Sequence, residues 1–363
     1  MLNQGFCSSN ASKLIYRVAL LITLSVEAHV VSAANRPLFD DHAPLDAVLS
    51  VPLTQAYSLK PGGVDPYLEG QFSYKAAGQE INKVPVKIRP RGNYRRANCS
   101  LPPLRLNFPK KQVKETLLNG QDKLKLVGPC KPGGIYEDLV GLEQIAYQVF
   151  ETVSPYALKT RALNLTYIDL DQKIKPRKTT AFVIESMGDL AKRVDLEEIN
   201  PDKARRSELD LGATALLEVF ALFIANNDFS TLIGMPGNKC CHNVRLLASK
   251  DSDAKFIPVP YDFDMSGLVN APYAAPPGTL PIRRVRQRYF NGWCKADEHF
   301  RSAINTFKEH KPELMALVEN STLISDKAKE RTSDYFEEFY TLVDDPSRYE
   351  KEILGRCRGT TIN

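Results

Sequence analysis

Three short polar segments in the second half of the chain carry side chains suited to phosphoryl transfer. That reaction needs one carboxylate to orient or deprotonate an acceptor hydroxyl, and an Asn and another Asp to hold Mg²⁺ against phosphates. The required residue types occur in residues 226–228 (Asn-Asn-Asp), 241–243 (Cys-His-Asn) and 261–264 (Tyr-Asp-Phe-Asp). Asp228 is the candidate catalytic carboxylate, and the oxygens of Asn243, Asp262 and Asp264 are candidate metal ligands.

A purely structural interpretation of these segments stays open. Asn and Asp are frequent at helix ends and in turns, because their side chains hydrogen-bond to nearby backbone groups. Any one of the three segments alone would favour that interpretation. All three, however, follow residues 211–225, which are apolar on nearly every face of a helix. Their order behind a buried helix favours a functional site.

Residues that could bind a nucleotide lie in the first half. The sequence contains no G-x-x-x-x-G-K-[ST], which excludes a P-loop. A strand Lys paired with a Glu on the following helix could contact the phosphates instead, and Lys125 with Glu143 fits this order. Lys123 lies on the same strand face, and Glu137 could replace Glu143. Lys125 could equally be a solvent-facing strand lysine.

Arginines give further candidate phosphate contacts. Arg91 stands between a proline and a glycine, at a sharply turning strand end from which its side chain could reach a cleft. Arg105 is a second candidate. Glu185 could contact a ribose, although capping of the next helix is the stronger interpretation. His242 is more typical of a packed loop residue than of a base.

The same segments resemble the CotH family, spore-coat protein kinases with an atypical protein-kinase fold. Family members carry R-G-N in the N-terminal lobe and P-W-D-x-D in the C-terminal lobe, and HipA-type kinases carry N-D…N…Y-D. This chain has Arg-Gly-Asn at 91–93 and Pro-Tyr-Asp-Phe-Asp at 260–264. The resemblance covers roughly residues 84–267. It departs at Tyr261, where CotH proteins have Trp, and in a longer loop between Asp228 and Asn243.

The resemblance implies a bilobal α+β kinase-like fold in an exported bacterial branch of the family. The N-lobe would span about 35–190 and the C-lobe about 191–363. It implies Mg²⁺ or Mn²⁺, and ATP or another nucleotide as donor to a hydroxyl on an envelope protein or small molecule. Asp228 would be catalytic, Asn243, Asp262 and Asp264 would bind metal, and Lys125, Glu143 and Arg91 would bind the nucleotide.

Other functions remain possible on these residues. A binding or structural envelope protein could keep the kinase-like fold without turnover. Such a protein would be expected to have lost part of the set Asp228, Asn243 and Asp262, all of which are present here. A metal-dependent hydrolase could use Asp262 and Asp264 without any nucleotide. ATP is scarce outside the cytoplasm, so an exported phosphotransferase would need another donor or scavenged nucleotide.

Hydrophobic patterning predicts a β-rich first half and a helical second half. Strands are predicted at 47–51, 69–74, 84–88, 104–108, 124–127, 162–169, 180–185, 243–247 and 256–259. Helices are predicted at 136–153, at 211–225 and from 298 onward. The arginine-rich run 283–288 is predicted as a solvated helix face, with a role in binding acidic substrate left open.

The first residues have the composition of a secretory signal. Lys13 and Arg17 precede an apolar run at 18–26, and small residues follow at 31–34. The sequence therefore predicts a signal peptide at 1–34 and a periplasmic or secreted protein without a membrane span in the mature chain. An uncleaved N-terminal anchor is the alternative.

Cysteine usage and charge agree with export. Six cysteines follow the predicted signal, which favours disulfides over a zinc site. The disulfide pairing is not deducible from sequence, although a Cys99–Cys130 bond would cross-link the first half. The formal net charge of +5 comes from Lys and Arg residues spread along the chain. This distribution does not indicate a nucleic-acid partner.

Overall fold

The computed structural model describes residues 37–59, 65–75, 80–92, 94–101, 103–251 and 253–362. The predicted signal at 1–34 and Asn93 lie outside these residues. No helix in the described part is long and apolar enough to cross a membrane. The chain from 34 to 363 forms one unit.

Seven strands of the first half close into a barrel in the order β1-β2-β3-β4-β5-β7-β6. The strands are β1 (Leu45–Val51), β2 (Leu68–Lys75), β3 (Asn82–Pro90), β4 (Leu104–Asn107), β5 (Lys123–Val127), β6 (Thr160–Asp169) and β7 (Arg177–Ile184). All neighbours are antiparallel except β6 and β1, whose parallel pairing closes the ring. Alternating apolar residues such as Leu49, Val86 and Leu106 fill its interior.

Three helices accompany the barrel: α1 (Leu53–Ser58), α2 (Tyr94–Asn98) and α3 (Gly134–Val153). The long helix α3 connects β5 to β6. It buries Leu142, Ile145 and Val149, among others, and packs against both β7 and the helices of the second half. Helix α3 therefore shares one core with the second half and with Val127, Phe182 and Ile184 of the barrel, whereas the barrel interior forms a separate core.

The second half combines helices with two small sheets. Its elements are α4 (Met187–Arg193), β8 (Glu197–Ile199), α5 (Leu211–Phe223), β9 (Val244–Ala248), β10 (Ile257–Pro260), β11 (Trp293–Lys295), α6 (Asp297–Glu309), α7 (Lys311–Glu319), α8 (Asp326–Asp344), α9 (Pro346–Glu352) and β12 (Arg358–Ile362). Strands β10, β9 and β8 form an antiparallel sheet, and β11 pairs with β12 in parallel.

The predicted α+β class is confirmed, and each predicted strand and helix has a counterpart. The structure adds that the first half is a closed barrel. Two predictions about the second half are wrong. The chain does not stay helical to its end, since β12 returns to pair with β11. Residues 283–288 form turns rather than a helix face.

Disulfides are confirmed. Cys99 is bonded to Cys130, as expected, and Cys294 is bonded to Cys357. The third bridge joins the adjacent residues Cys240 and Cys241.

Candidate active site

Asp228 is positioned by the end of the buried helix α5. The chain turns at Ala225, whose φ is +49°. Asn226 is buried, and its Oδ1 accepts a hydrogen bond from the Asp228 backbone N–H at 3.0 Å. This local turn presents the Asp228 carboxylate, whose side chain is 37% exposed. Asp228 is therefore fixed at its backbone and open to solvent at its side chain.

His242 and Asn243 both contact Asp228. The His242 Nε2 lies 2.8 Å from Asp228 Oδ1. The Asn243 Nδ2 donates to the Asp228 backbone carbonyl at 2.8 Å and to Oδ2 at 3.0 Å. The hydrogen bond that His242 makes to the Asp228 carboxylate raises the pKa of His242, against the opposing effect of burial. The predicted catalytic Asp and metal-binding Asn are thus neighbours, although the loop between them is long.

Asp262 follows strand β10 and lies beside Asn243. The Tyr261 N–H donates to the Asn243 carbonyl at 3.0 Å. The Asp262 N–H donates to the hydroxyl of Tyr147 on α3 at 2.9 Å. Asn243 and Asp262 both have positive φ, +50° and +66°, a conformation that Asn and Asp adopt more readily than most residues. Such backbone geometry is enriched at functional sites.

Asp264 is the most buried of the predicted metal ligands, at 9% exposure. The Tyr273 hydroxyl donates to its Oδ2 at 2.9 Å. Burial, followed by repulsion from Asp262, raises the pKa of Asp264 to about 6. Between these two carboxylates, Phe263 packs on Tyr147 and on Phe220 of α5, with ring centroids 4.6 and 5.3 Å apart. This packing fixes the loop.

Cations from the barrel face these carboxylates. The Lys125 Nζ lies 4.4 Å from the centroid of the Tyr261 ring. Burial, followed by repulsion from Arg91, lowers the pKa of Lys125 to about 8, and Asp262 opposes this shift. Burial likewise lowers the pKa of Arg91, and attraction to Asp262 opposes it. Two predicted nucleotide-binding cations therefore lie near the predicted metal ligand Asp262.

The expected pairing of Lys125 with Glu143 is wrong. Glu143 is paired with Arg95, whose Nη1 lies 3.8 Å from Oε2. Burial and then repulsion from Asp264 raise the pKa of Glu143 to about 8. The Lys125 Nζ instead lies over the Tyr261 ring, which follows β10. Glu137, the alternative partner for Lys125, contacts other residues. It accepts hydrogen bonds from the Thr179 hydroxyl and the Thr180 N–H and pairs with Arg177.

A cavity of about 230 Å³ adjoins Lys125 and Tyr261. Its wall includes Lys123, Arg105 and Arg245, and also Ile184 and Met187. Three predicted or weighed cations, Lys123, Lys125 and Arg105, thus border a single space. A larger cavity of about 760 Å³ lies around β1 and β6, and its lining includes the alternative candidate Glu137 but none of the other candidate site residues.

Glu185 lines the smaller cavity, and its predicted role as the cap of the next helix is wrong. Its carboxylate accepts hydrogen bonds from Arg193 at 2.9 and 3.1 Å and from the Lys159 N–H at 3.1 Å. Helix α4 is capped by Ser186 instead. Glu185 therefore links α4 to the barrel.

Four contributing residues were missed or discounted at the sequence level: Arg95, Tyr147, His242 and Tyr273. Arg95 bonds to the Gly128 carbonyl as well as pairing with Glu143. The signal for His242 was its position beside Asn243. The partners of Tyr147 and Arg95 are remote in sequence, so no local pattern indicated them.

The oxygen atoms at the site suit a hard cation. Both side-chain hydrogen bonds of Asn243 use Nδ2, so its Oδ1 is available. Within the described part of the chain, the Asp262 carboxylate accepts no hydrogen bond, and no three His, Cys, Asp or Glu side chains cluster closely enough to hold a metal by themselves. A Mg²⁺ bound here would complete its octahedron with phosphates and water.

Comparisons with known proteins found no matching family model, no matching curated protein and no matching solved structure.

Proposed function

We propose that this protein is a kinase-like phosphotransferase that moves a phosphoryl group from a nucleotide to a hydroxyl, with Mg²⁺ or Mn²⁺. The observation that carries the proposal is the meeting of Asp228, Asn243 and Asp262 opposite Lys125 and Arg91. These residues come from five separate segments of chain. Phosphoryl transfer depends mainly on positioning and on charge stabilisation, and this arrangement supplies both.

The shifted pKa values of the buried charged groups support a site for a metal-bound nucleotide. Lys125 and Arg91 have lowered pKa values, whereas Asp264 and Glu143 have raised ones. Burial disfavours the charged form of each of these groups. An anionic phosphate chain would relieve the cations, and a divalent cation would relieve the carboxylates. One ligand, a metal-bound nucleotide, does both.

Individual roles follow from the contacts. Asn243 Oδ1 and the Asp262 carboxylate would hold the metal, with Asp264 as a further ligand or support. Lys125 and Arg91 would hold the phosphates. Asp228, kept in place by His242 and Asn243, would accept the proton of the acceptor hydroxyl. Glu143 would position Arg95 rather than Lys125.

The proposed fold is a bilobal variant of the kinase plan. The barrel with α3 would replace the usual N-terminal sheet and helix, and the elements from α4 onward would form the C-terminal lobe. The resemblance of residues 84–267 to CotH proteins supports this assignment. The three disulfides fit an oxidising compartment, so we propose that the protein works in the periplasm or outside the cell on an envelope protein or small molecule.

Thermal melting with ligands tests the proposal. Nucleotide together with Mg²⁺ or Mn²⁺ should raise the melting temperature of the wild-type protein, and the rise should grow with ligand concentration. Asp262→Asn should abolish the rise, while the exposed control Asp334→Asn should keep it. Absence of any rise in folded wild-type protein, across a panel of nucleotides, would contradict the proposal.

Transfer itself separates catalysis from binding. Asp228→Asn should retain the ligand-induced rise but lower the rate of phosphoryl transfer by about 10²–10⁴-fold. Binding with no transfer to any acceptor and no nucleotide hydrolysis would favour a non-catalytic binding protein on the same fold.

A further inference from the structure

The cavity of about 230 Å³ beside Lys125 lies between strands β4, β5 and β7 of the barrel and strands β8 and β9 of the second half. Four of its eleven lining residues are cations: Arg105, Lys123, Lys125 and Arg245. Ligand pockets are usually lined mostly by apolar side chains, with a small number of polar groups. The positive charge of this cavity therefore indicates a particular kind of ligand.

The two carboxylates in the wall are engaged by other cations. Glu185 Oε2 lies 2.9 Å from the Nη2 atom of Arg193, which is outside the cavity wall. Glu198 Oε1 lies 3.8 Å from Arg245 Nε, on the side of the second half. Neither ion pair involves a cation from the barrel, so the charges that the barrel contributes to the cavity are not balanced by these carboxylates.

Lys125 and Arg105 are the uncompensated cations. They lie directly opposite each other on the antiparallel strands β5 and β4, so their side chains share one face of the sheet. Like charges at opposite positions destabilise a sheet. Neither side chain forms an ion pair with a carboxylate of the described residues. The barrel thus places two adjacent positive charges at the wall of the cavity.

The repulsion within this cluster acts on Lys125. Burial, followed by repulsion from Arg91, lowers the pKa of Lys125 to about 8. Repulsion from Arg245 and Arg105 adds to the shift, whereas attraction to Asp262 opposes it. An anion bound among these cations would favour the charged lysine, because an opposite charge nearby stabilises the ionised form.

The ring of Tyr261 positions cations from both sides of the cavity. Lys125 Nζ lies 4.4 Å from the ring centroid, and the guanidinium carbon of Arg245 lies 5.7 Å from it. Contacts of this kind attract a cation to the face of the ring and leave its N–H groups able to donate to an oxyanion. Lys125 from the barrel and Arg245 from β9 therefore converge on one space.

We propose that this cavity binds a phosphate group of a substrate rather than a nucleobase. Two uncompensated cations match the charge of about −1.5 to −2 that a phosphate monoester carries at neutral pH. A carboxylate carries a single negative charge, and a nucleobase carries none. The guanidinium groups of Arg105 and Arg245 offer parallel N–H donors that match the geometry of phosphate oxygens.

The size of the cavity agrees with a small ligand group. Its volume of about 230 Å³ lies below the range of roughly 300–1,000 Å³ that is typical of pockets for drug-sized ligands. The cavity therefore suits one part of a nucleotide or of a phosphate chain, and not a whole nucleotide.

The donor of the proposed reaction offers two sources for this phosphate. The proposed function assigns Lys125 to the donor phosphates, and the inference rests on the proposed function to that extent. The group in the cavity would be either a further unit of a linear phosphate chain or a phosphate on the ribose of the nucleotide. Both sources present the same chemistry to Arg105 and Arg245.

Isothermal titration calorimetry in EDTA tests the inference, because EDTA removes divalent cations and so keeps the proposed metal site from contributing. One pair of probes is inorganic tripolyphosphate and orthophosphate. The other is adenosine 3′,5′-bisphosphate and adenosine 5′-monophosphate, with adenosine as the neutral reference. Wild-type protein should bind the phosphate-rich member of at least one pair about tenfold or more tightly than its partner. The pair that shows this preference identifies the source of the phosphate.

Paired variants make the test specific to the cavity. Arg105→Gln/Arg245→Gln should abolish the preference, because it removes charge-assisted hydrogen bonds to the phosphate. The control Arg283→Gln/Arg284→Gln makes the same chemical change at two exposed positions outside the cavity wall. It should leave the preference within about twofold of wild type. Melting temperatures would show that both variants are folded.

Three results would overturn the inference. They are equal affinity of wild type for the two members of both pairs, an unchanged preference in Arg105→Gln/Arg245→Gln, and adenosine bound as tightly as the phosphate-rich probes. The last would assign the cavity to the nucleobase. A rise in melting temperature with nucleotide and Mg²⁺, together with any of these results, would overturn this inference alone and leave the proposed function in place.

Discussion

Buried charges occur in two regions of this protein, and their partners differ. Glu218 and Lys295 form an ion pair in which each side chain is 1% exposed. Trp293 completes it, since its N–H donates to Glu218 at 3.0 Å and its carbonyl accepts from Lys295 at 2.7 Å. At the candidate active site, by contrast, the hydrogen bonding of Arg91 is incomplete, since its Nε has no hydrogen-bond partner among the described residues.

We interpret this difference as one between charges that stabilise the fold and charges that would bind the proposed ligand. The Glu218–Lys295 pair joins α5 to β11 and satisfies its own polar atoms. The site charges come from the barrel and from two loops, and burial disfavours the ionised form of several of them. Breaking the first group should therefore affect stability, whereas changing the second should affect ligand binding.

The largest expected change in stability comes from breaking the Glu218–Lys295 ion pair. Lys295→Met should lower the free energy of unfolding by about 3–5 kcal/mol, because it leaves the Glu218 carboxylate buried without its partner. Urea denaturation measures this loss. A loss below about 1 kcal/mol would show that the pair is not the structural element assigned to it.

Asp262→Asn should have the converse effect. We expect affinity for the metal–nucleotide pair to fall at least 100-fold, because a metal-ligating carboxylate is lost. The free energy of unfolding should change by less than about 1 kcal/mol, since repulsion on Asp264 is also removed. Isothermal titration and urea denaturation of the same preparation measure both quantities, with Asp334→Asn as control. A large loss of stability at unchanged affinity would reverse the assignment.

Lys125→Met makes the same chemical change at the candidate active site as Lys295→Met makes in the Glu218–Lys295 pair. Removing a desolvated ammonium should leave the free energy of unfolding within about 1 kcal/mol of wild type or raise it. Nucleotide affinity should fall about tenfold. Comparison with Lys295→Met, the same chemical change elsewhere, gives the contrast directly. Equal destabilisation by the two substitutions would remove the distinction between the regions.

The pH dependence of stability gives the smallest effect. The folded-state pKa of Lys125 is about 8, below its ordinary value of 10.5. The folded protein therefore releases this proton first, and the contribution of Lys125 to stability is present above pH 10.5 and is lost as pH falls through about 8. The stability of wild type relative to Lys125→Met should rise between pH 7.5 and 9.5. A flat difference would contradict the lowered pKa.

The strands and long helices could be predicted because their signals are local. Alternation identified β1 to β3, helical spacing identified α3, and a continuous apolar run identified α5. Barrel closure was not predictable, because it depends on β6 pairing in parallel with β1, for example Asp46 beside Asn164. Nothing within either segment specifies that partner.

The candidate site was predictable only in part, for the same reason. Asp228, Asn243 and Asp262 stood out as polar residues placed after apolar segments. The hydroxyl of Tyr147 that fixes Asp262 comes from 115 residues away. The partner of Glu143 was mispredicted because Arg95 lies on a short helix without a periodic signal. Residue type and order led to the proposed chemistry, whereas the supporting contacts depended on tertiary packing.

Crystals of the protein grown with Mn²⁺ and a non-hydrolysable nucleotide would test the central claim most directly, through the anomalous scattering of manganese. The account predicts a manganese peak about 2.1 Å from Asn243 Oδ1 and from an Asp262 carboxylate oxygen, with the phosphates directed towards Lys125 and Arg91. A nucleotide bound elsewhere, or a manganese ion away from both residues, would contradict it.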